Sequence, residues 1–169
     1  MIVHKFGGTS VGNAPRFSEV ADIVMEHHDR ASGCDDRSRP REIIVVLSAM
    51  SGVTNQLVAG ARAAAEGQDS VYRAIKAELL SQHLDVVETL LNHSAERLEV
   101  GGLVEDRLHE LERLYRSIAV LGELTARGCD VVASFGEQLS VSILAAVLRE
   151  RGVRAQAISA AKLIVTDGD

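Results

Sequence analysis

Tryptophan is absent from this sequence, and two Tyr and three Phe are its only aromatic apolar residues. A core built under that constraint is aliphatic, drawn from Val, Leu, Ile and Ala. A hydrophobic fraction of 46% in 169 residues is enough to build one, as a single domain or one lobe of a larger enzyme. Basic charge is also short, with 18 Lys and Arg against 24 Asp and Glu and a net charge of -6. That shortage argues against a general nucleic-acid surface, which needs clustered Lys and Arg. It leaves room for a nucleotide, because one lysine and a few backbone N–H groups can handle a phosphate. Cysteine is nearly missing: Cys34 and Cys129 lie far apart and near no His or Cys at metal-ligand spacing. They read as reduced thiols in a cytosolic protein, with a single disulfide as the alternative. No long apolar run accompanies the strand signals; "IIVVL" is far too short to span a bilayer. The N-terminus lacks the charged start, apolar stretch and cleavage site of a signal peptide. The expectation is a cytoplasmic protein with neither a membrane nor a nucleic-acid partner.

What is present alternates between strand and helix signals. "MIVHKF" reads as a first strand ending at two glycines. "PRFSEVADIVMEHHDR" follows as a helix with Phe17, Val20, Ile23 and Val24 on one face and Pro15 in its first turn. "ASGCDDRSRPRE" is a polar connection. "IIVVL" is a continuous branched run, as in a strand buried on both faces of a parallel sheet. From about Gln56 to Arg127 no strand signal occurs. Leu80, Leu84, Val87 and Leu91 recur at helical spacing, as do Val104, Leu108, Leu111, Tyr115 and Ile118. These stripes predict two long core-forming helices in an antiparallel hairpin, with the chain reversing at Gly101 and Gly102. Beyond it, Val131–Ser134 reads as a short strand, "FGE" as a turn and 137–150 as an apolar helix. "VRAQAISA" and "KLIVTDGD" are two further strand candidates. The rhythm predicts an α/β fold, a mostly parallel sheet with flanking helices and a helical insertion over about 56–127.

Three loops carry the polar residues of interest. In "KFGGTSVGNA" the glycines fit neither the dinucleotide fingerprint nor the Walker pattern, and Lys5 precedes them instead of following. The underlying physics survives the failed match. Glycines let the backbone approach an anion, the next helix turns its positive end towards it, and a lysine at the strand end can join them. The competing reading is an ordinary strand–turn–helix connection. "VLSAMSGVTN" repeats the architecture. Gly52 permits a tight turn, Thr54 and Asn55 are candidate helix caps, and Ser48 and Thr54 are hydroxyl donors suited to a carboxylate. In "SFGEQLS", Glu137 is expected in a first helical turn, where the dipole favours a carboxylate, or facing a bound ammonium. Ligands of open parallel sheets bind beyond the carboxyl ends of the strands. A cation, a hydroxyl pair and a carboxylate placed there suit a zwitterionic substrate and a phosphate donor.

"KFGGTSVG", "VLSAMSGVTN", "ASFGEQLSVSILAAVLRERG" and "IVTD", in this order and with a helical insertion before the third, resemble the aspartate kinases of the amino-acid kinase family. The resemblance runs from Ile2 to Asp167. It implies ATP-dependent phosphorylation of the β-carboxylate of L-aspartate to 4-phospho-L-aspartate, the first step towards lysine, threonine and methionine. It implies Lys5 as the catalytic contact to the phosphoryl group, with Gly7, Gly8, Thr9 and Ser10 in the phosphate-binding loop. Ser48, Thr54 and Glu137 would hold aspartate. It further implies that residues 1–169 are the N-terminal, amino-acid-binding lobe. The lobe that binds most of ATP and Mg²⁺, and the regulatory ACT domains, would lie outside it. On that expectation the isolated chain is inactive and the complete enzyme is a homo-oligomer. The alternatives are a non-catalytic lobe that binds a ligand or a subunit, and another member such as acetylglutamate, glutamate 5- or uridylate kinase.

Overall fold

The computed structural model describes residues 1–32, 42–160 and 164. Two five-residue strands, β1 (Ile2–Phe6) and β2 (Ile43–Leu47), pair in parallel with Ile2 opposite Ile43 and Phe6 opposite Leu47. Between them a 3₁₀ turn (Gly8–Val11) leads into α1 (Ala14–Ser32). The Asn13 side chain accepts from the Arg16 amide at 3.1 Å, which starts α1 one residue before Ala14. Ala14, Phe17, Val20, Ala21 and Val24 are buried along it, as expected for Phe17, Val20 and Val24, while Ile23 is exposed.

Four helices follow β2: α2 (Val53–Ala65), α3 (Asp69–Leu90), α4 (Ser94–Leu121) and α5 (Ala126–Glu150). The predicted hairpin is α3 against α4, and the whole α4 stripe from Val104 to Ile118 is buried. On α3 the buried positions are Tyr72, Leu79, His83, Val86 and Val87, while Leu80 and Leu84 are half-buried. The reversal is not at Gly101 and Gly102, which lie inside α4, but at Leu91–His93. The reason lies on α5. The Glu150 carboxylate accepts from the Asn92 amide at 2.8 Å and the His93 amide at 3.3 Å, satisfying N–H groups at the start of α4. Arg149 donates to both Glu96 carboxylate oxygens, its Nη2 at 2.7 Å from Oε2, which ties the same two helix ends together.

Two other sequence expectations change. Val131–Ser134, "FGE" and 137–150 form one continuous helix, α5, whose start is capped by the Thr125 hydroxyl accepting from the Gly128 amide at 3.0 Å. Val132, Phe135, Gly136, Leu139, Ser140 and Ile143 are all buried along it, a helical spacing that overrides the strand preference of the two valines. Residues 153–160 form no strand, since among the described residues nothing pairs with them in a ladder. "KLIVTDGD", apart from Ile164, lies outside the described residues. Among the described residues one face of the sheet is uncovered, with Val3, Ile44 and Val46 57%, 44% and 46% exposed. Among the described residues α5 is long and apolar enough to cross a membrane, yet 61% of its apolar window is buried against the rest of the protein, as befits a core helix.

Candidate functional site

The site is organised around Ala49, directly after β2. The Gly8 backbone runs so close to it that a Cβ on Gly8 would stand 2.9 Å from the Ala49 carbonyl oxygen. A Cβ on Gly136 would stand 2.5 Å from the Ala49 Cβ and 3.2 Å from Val53 Cγ1. Real side chains do not approach so closely, so glycine is required at both positions for the two elements to reach Ala49. A third glycine, Gly12, would place a Cβ 3.4 Å from Ser51 Cβ. The loop after β1, the loop after β2 and the middle of α5 therefore meet at one point. Ser48 precedes that point in the chain, and Glu137 follows Gly136.

Each predicted residue can be placed on this frame. Lys5 is an exposed residue of β1 whose ammonium lies 3.7 Å from where a Gly7 Cβ would be, so its side chain lies over the Gly7 backbone. Thr9 is exposed and Ser10 half-buried, both within the 3₁₀ turn, with the Ser10 amide donating to the Gly7 carbonyl at 2.9 Å. Ser48 is half-buried, and its amide donates to the Phe6 carbonyl at 3.1 Å, which holds the end of β2 to the end of β1. Thr54 is half-buried inside the first turn of α2. It does not cap the helix, and neither does Asn55: the N-cap is Gly52, at φ +83°, a left-handed conformation that favours glycine. Glu137 is half-buried and well inside α5, so no helix dipole accounts for it. Among the described residues the side chains of Lys5, Ser48, Thr54 and Glu137 have no hydrogen bond or ion pair with protein.

Sequence reasoning passed over two polar residues of these elements. Gln56, in the first turn of α2, has a buried carboxamide oxygen with no hydrogen-bond partner. Ser140, one turn beyond Glu137 on α5, is fully buried with an unpartnered hydroxyl. Gln56 falls just outside "VLSAMSGVTN" and Ser140 closes "SFGEQLS", and only the packing of α2 and α5 shows that the oxygens of both are buried. For metals, no group of three His, Cys, Asp or Glu is positioned to hold an ion among the described residues. Cys129 is a free, half-buried thiol, and Cys34 lies outside the described residues.

A family model described as the amino acid kinase family matches residues 1–169. The chain belongs to the amino acid kinase family. Aspartokinase 1, chloroplastic, of Arabidopsis thaliana is 36% identical over 168 residues, covering 98% of this chain and 26% of that protein. Lysine-sensitive aspartokinase 3 of Escherichia coli is 34% identical over 172 residues, covering 99% of this chain and 32% of that protein. The family fold is also seen in solved structures. E. coli aspartokinase III with lysine and aspartate superposes with a TM-score of 0.70 at 26% identity, over 90% of this chain and 30% of that one. The same enzyme with aspartate and ADP gives a TM-score of 0.69 at 27% identity, over 92% and 30%. The chain thus spans about a third or less of the length of these relatives.

Proposed function

We propose that this chain is the amino-acid-binding lobe of an aspartate kinase, which phosphorylates the β-carboxylate of L-aspartate at the expense of ATP. The observation that carries the reading is the meeting of the loops after β1 and β2 with the middle of α5 at Ala49, on elements that bear four unpartnered polar side chains of complementary chemistry. The similarity to aspartokinases over nearly the whole chain supports it independently. In this reading a β-carboxylate oxygen attacks the γ-phosphorus of ATP. The new O–P bond forms as the bond from the γ-phosphorus to the β,γ-bridging oxygen breaks, and ADP leaves with that electron pair.

The residues divide the work by charge. Lys5 lies against the strand end and offsets negative charge on the phosphoryl group in flight. Gly7 and Gly8 let phosphate oxygens come close to backbone N–H groups, with Thr9 and Ser10 lining the same turn. Phosphoryl transfer depends on positioning and charge stabilisation more than on covalent help, and this set supplies both. Ser48 and Thr54 donate to a substrate carboxylate, and Glu137 accepts from the ammonium. In this reading Mg²⁺ and most of the nucleotide are held by a second lobe of the enzyme. The placement of aspartate kinase at the entry to lysine, threonine and methionine synthesis, and in the cytoplasm, belongs to the same proposal.

The test is ADP release coupled to an indicator reaction, with L-aspartate as acceptor, on the full gene product and on residues 1–169 alone. Aspartate-dependent turnover by the former and none by the latter is expected. ADP release from the full product that ignores aspartate but responds to N-acetylglutamate, glutamate or UMP would assign it to another member of the family.

A further inference from the structure

Tyr115 lies on α4, in the helical insertion, and is wholly buried. Its hydroxyl donates to the Leu57 carbonyl of α2 at 2.8 Å. Gly60 makes room for it: a Cβ there would stand 2.6 Å from the Tyr115 hydroxyl oxygen and 2.7 Å from Cζ. Tyr72 of α3 packs its ring against that of Tyr115 with centroids 5.6 Å apart, so both arms of the hairpin bear on this contact. Leu57 is one helical turn from Thr54. On its other side, a Cβ on Gly136 of α5 would lie 3.4 Å from Leu57 Cδ1, in ordinary van der Waals contact. The first turn of α2 is therefore held between Tyr115 and the stretch of α5 that carries Glu137. Burial drives the Tyr115 hydroxyl well above its ordinary pKa, so it remains a donor at any pH the enzyme meets.

We propose that Tyr115 is a positioning residue for the amino-acid substrate, with the helical insertion acting as a brace that sets Thr54 on α2 against Glu137 on α5. The proposal rests on the aspartate-site reading above. It explains why a tyrosine and a glycine, Tyr115 and Gly60, are matched across two helices where leucine and alanine would make a simpler core. It also gives the hairpin of α3 and α4 a task in substrate binding.

The experiment is Tyr115→Phe in the full gene product, compared with Leu111→Ala, a buried cavity variant on the same helix. Loss of one buried hydrogen bond corresponds to roughly a fivefold effect. Tyr115→Phe should therefore raise the aspartate KM about fivefold, with kcat and the ATP KM within twofold. Leu111→Ala should lower Tm at least as much and leave the aspartate KM within twofold. Amide hydrogen exchange gives a second readout that needs no activity: Tyr115→Phe should speed exchange over Val53–Leu57. An aspartate KM that does not move, equal effects in both variants, or faster exchange confined to α3 and α4 would overturn the brace. Wild-type protein with no aspartate-dependent turnover would sink the substrate reading instead, and the exchange data would still decide whether Tyr115 holds α2.

Discussion

Gly136 and Ala49 are in contact across the junction of α5 with the loop after β2, and a methyl group on Gly136 would lie 2.5 Å from the Ala49 Cβ. The contact explains a glycine in the middle of a buried helix, where it otherwise costs about 1 kcal/mol relative to alanine. Gly136→Ala should therefore destabilise the fold by about 1–3 kcal/mol, the usual cost of overpacking a close contact. Gly102→Ala is the natural comparison, because nothing lies within 4 Å of its added Cβ and its backbone is helical. It should stabilise by about 0.5–1 kcal/mol. Urea denaturation of both variants checks the pair, and a neutral Gly136→Ala would mean that Ala49 can yield without cost.

Lys5 and Glu137 should fail in different ways. Lys5→Met keeps the apolar stem and removes the charge. In the full gene product it should lower kcat about 100-fold, comparable to losing one preorganised electrostatic donor, with little change in the aspartate KM. Glu137→Gln should do the converse, with the larger effect on the aspartate KM. Steady-state kinetics decides it, and a Lys5→Met enzyme with normal kcat and a greatly raised aspartate KM would reverse the two roles.

His83 should make stability depend on pH below neutrality. It is fully buried on α3, its Nδ1 lies 2.6 Å from the Leu79 carbonyl, and burial pushes its pKa below the ordinary 6.5. A carbonyl only accepts, so Nδ1 carries the proton, and the unpartnered Nε2 would have to be charged without a partner. As pH falls through about 6.5 the unfolded ring takes up a proton that the folded ring refuses, so stability declines, by at most about 1.4 kcal/mol per pH unit. Above that pH the contribution is flat. His83→Leu should flatten the profile between pH 6.5 and 5. Denaturation midpoints at several pH values test this, and identical profiles for the two proteins would rule His83 out as the source.

Glu150 should matter more than a surface carboxylate. Burial raises its pKa, but the Asn92 and His93 amides donating to it outweigh burial, and the net shift is downward. Glu150→Ala should cost about 1–2 kcal/mol by stripping the start of α4 of its acceptor. The loss should be largest at neutral pH and shrink as pH falls below the ordinary carboxylate range, because the depressed pKa stabilises only the ionised form. Thermal melts at pH 7 and pH 3.5 measure it, and a loss that does not change with pH would show that the charge plays no part.

Much of the scaffold is legible in the sequence. The branched run "IIVVL" and the pattern of "IVHKF" mark the two strands, and the stripe from Val104 to Ile118 marks the buried face of α4. Each of these signals is a periodicity set by one element's own geometry. Gly52 was legible for the same kind of reason, since a positive φ is a local demand of the turn itself. Lys5 and Ser48 stand at strand ends as expected, whereas Glu137 does not and Thr54 caps no helix.

Other features depended on partners distant in sequence. A glycine has two uses, backbone freedom and a missing Cβ, and one sequence does not distinguish them. Gly101 and Gly102 read as a chain reversal, yet they continue a helix because Glu150 fixes the reversal at Leu91–His93. "FGE" read as a turn, yet Gly136 is there for close approach to Ala49, so Glu137 projects from the middle of α5 instead of from its start. Among the described residues nothing covers the second face of β2 and nothing pairs with 153–160, for a related reason. Burial and strand pairing are properties of two surfaces, and an apolar run states only what one of them can offer. The strands, the α4 stripe and the left-handed turn at Gly52 were thus determined by the sequence alone, because short-range sterics and periodicity dictate them. The convergence at Ala49 and the contact between Tyr115 and Leu57 were decided by tertiary structure, because each exists only when separate helices are packed closely enough for one missing methyl group to matter.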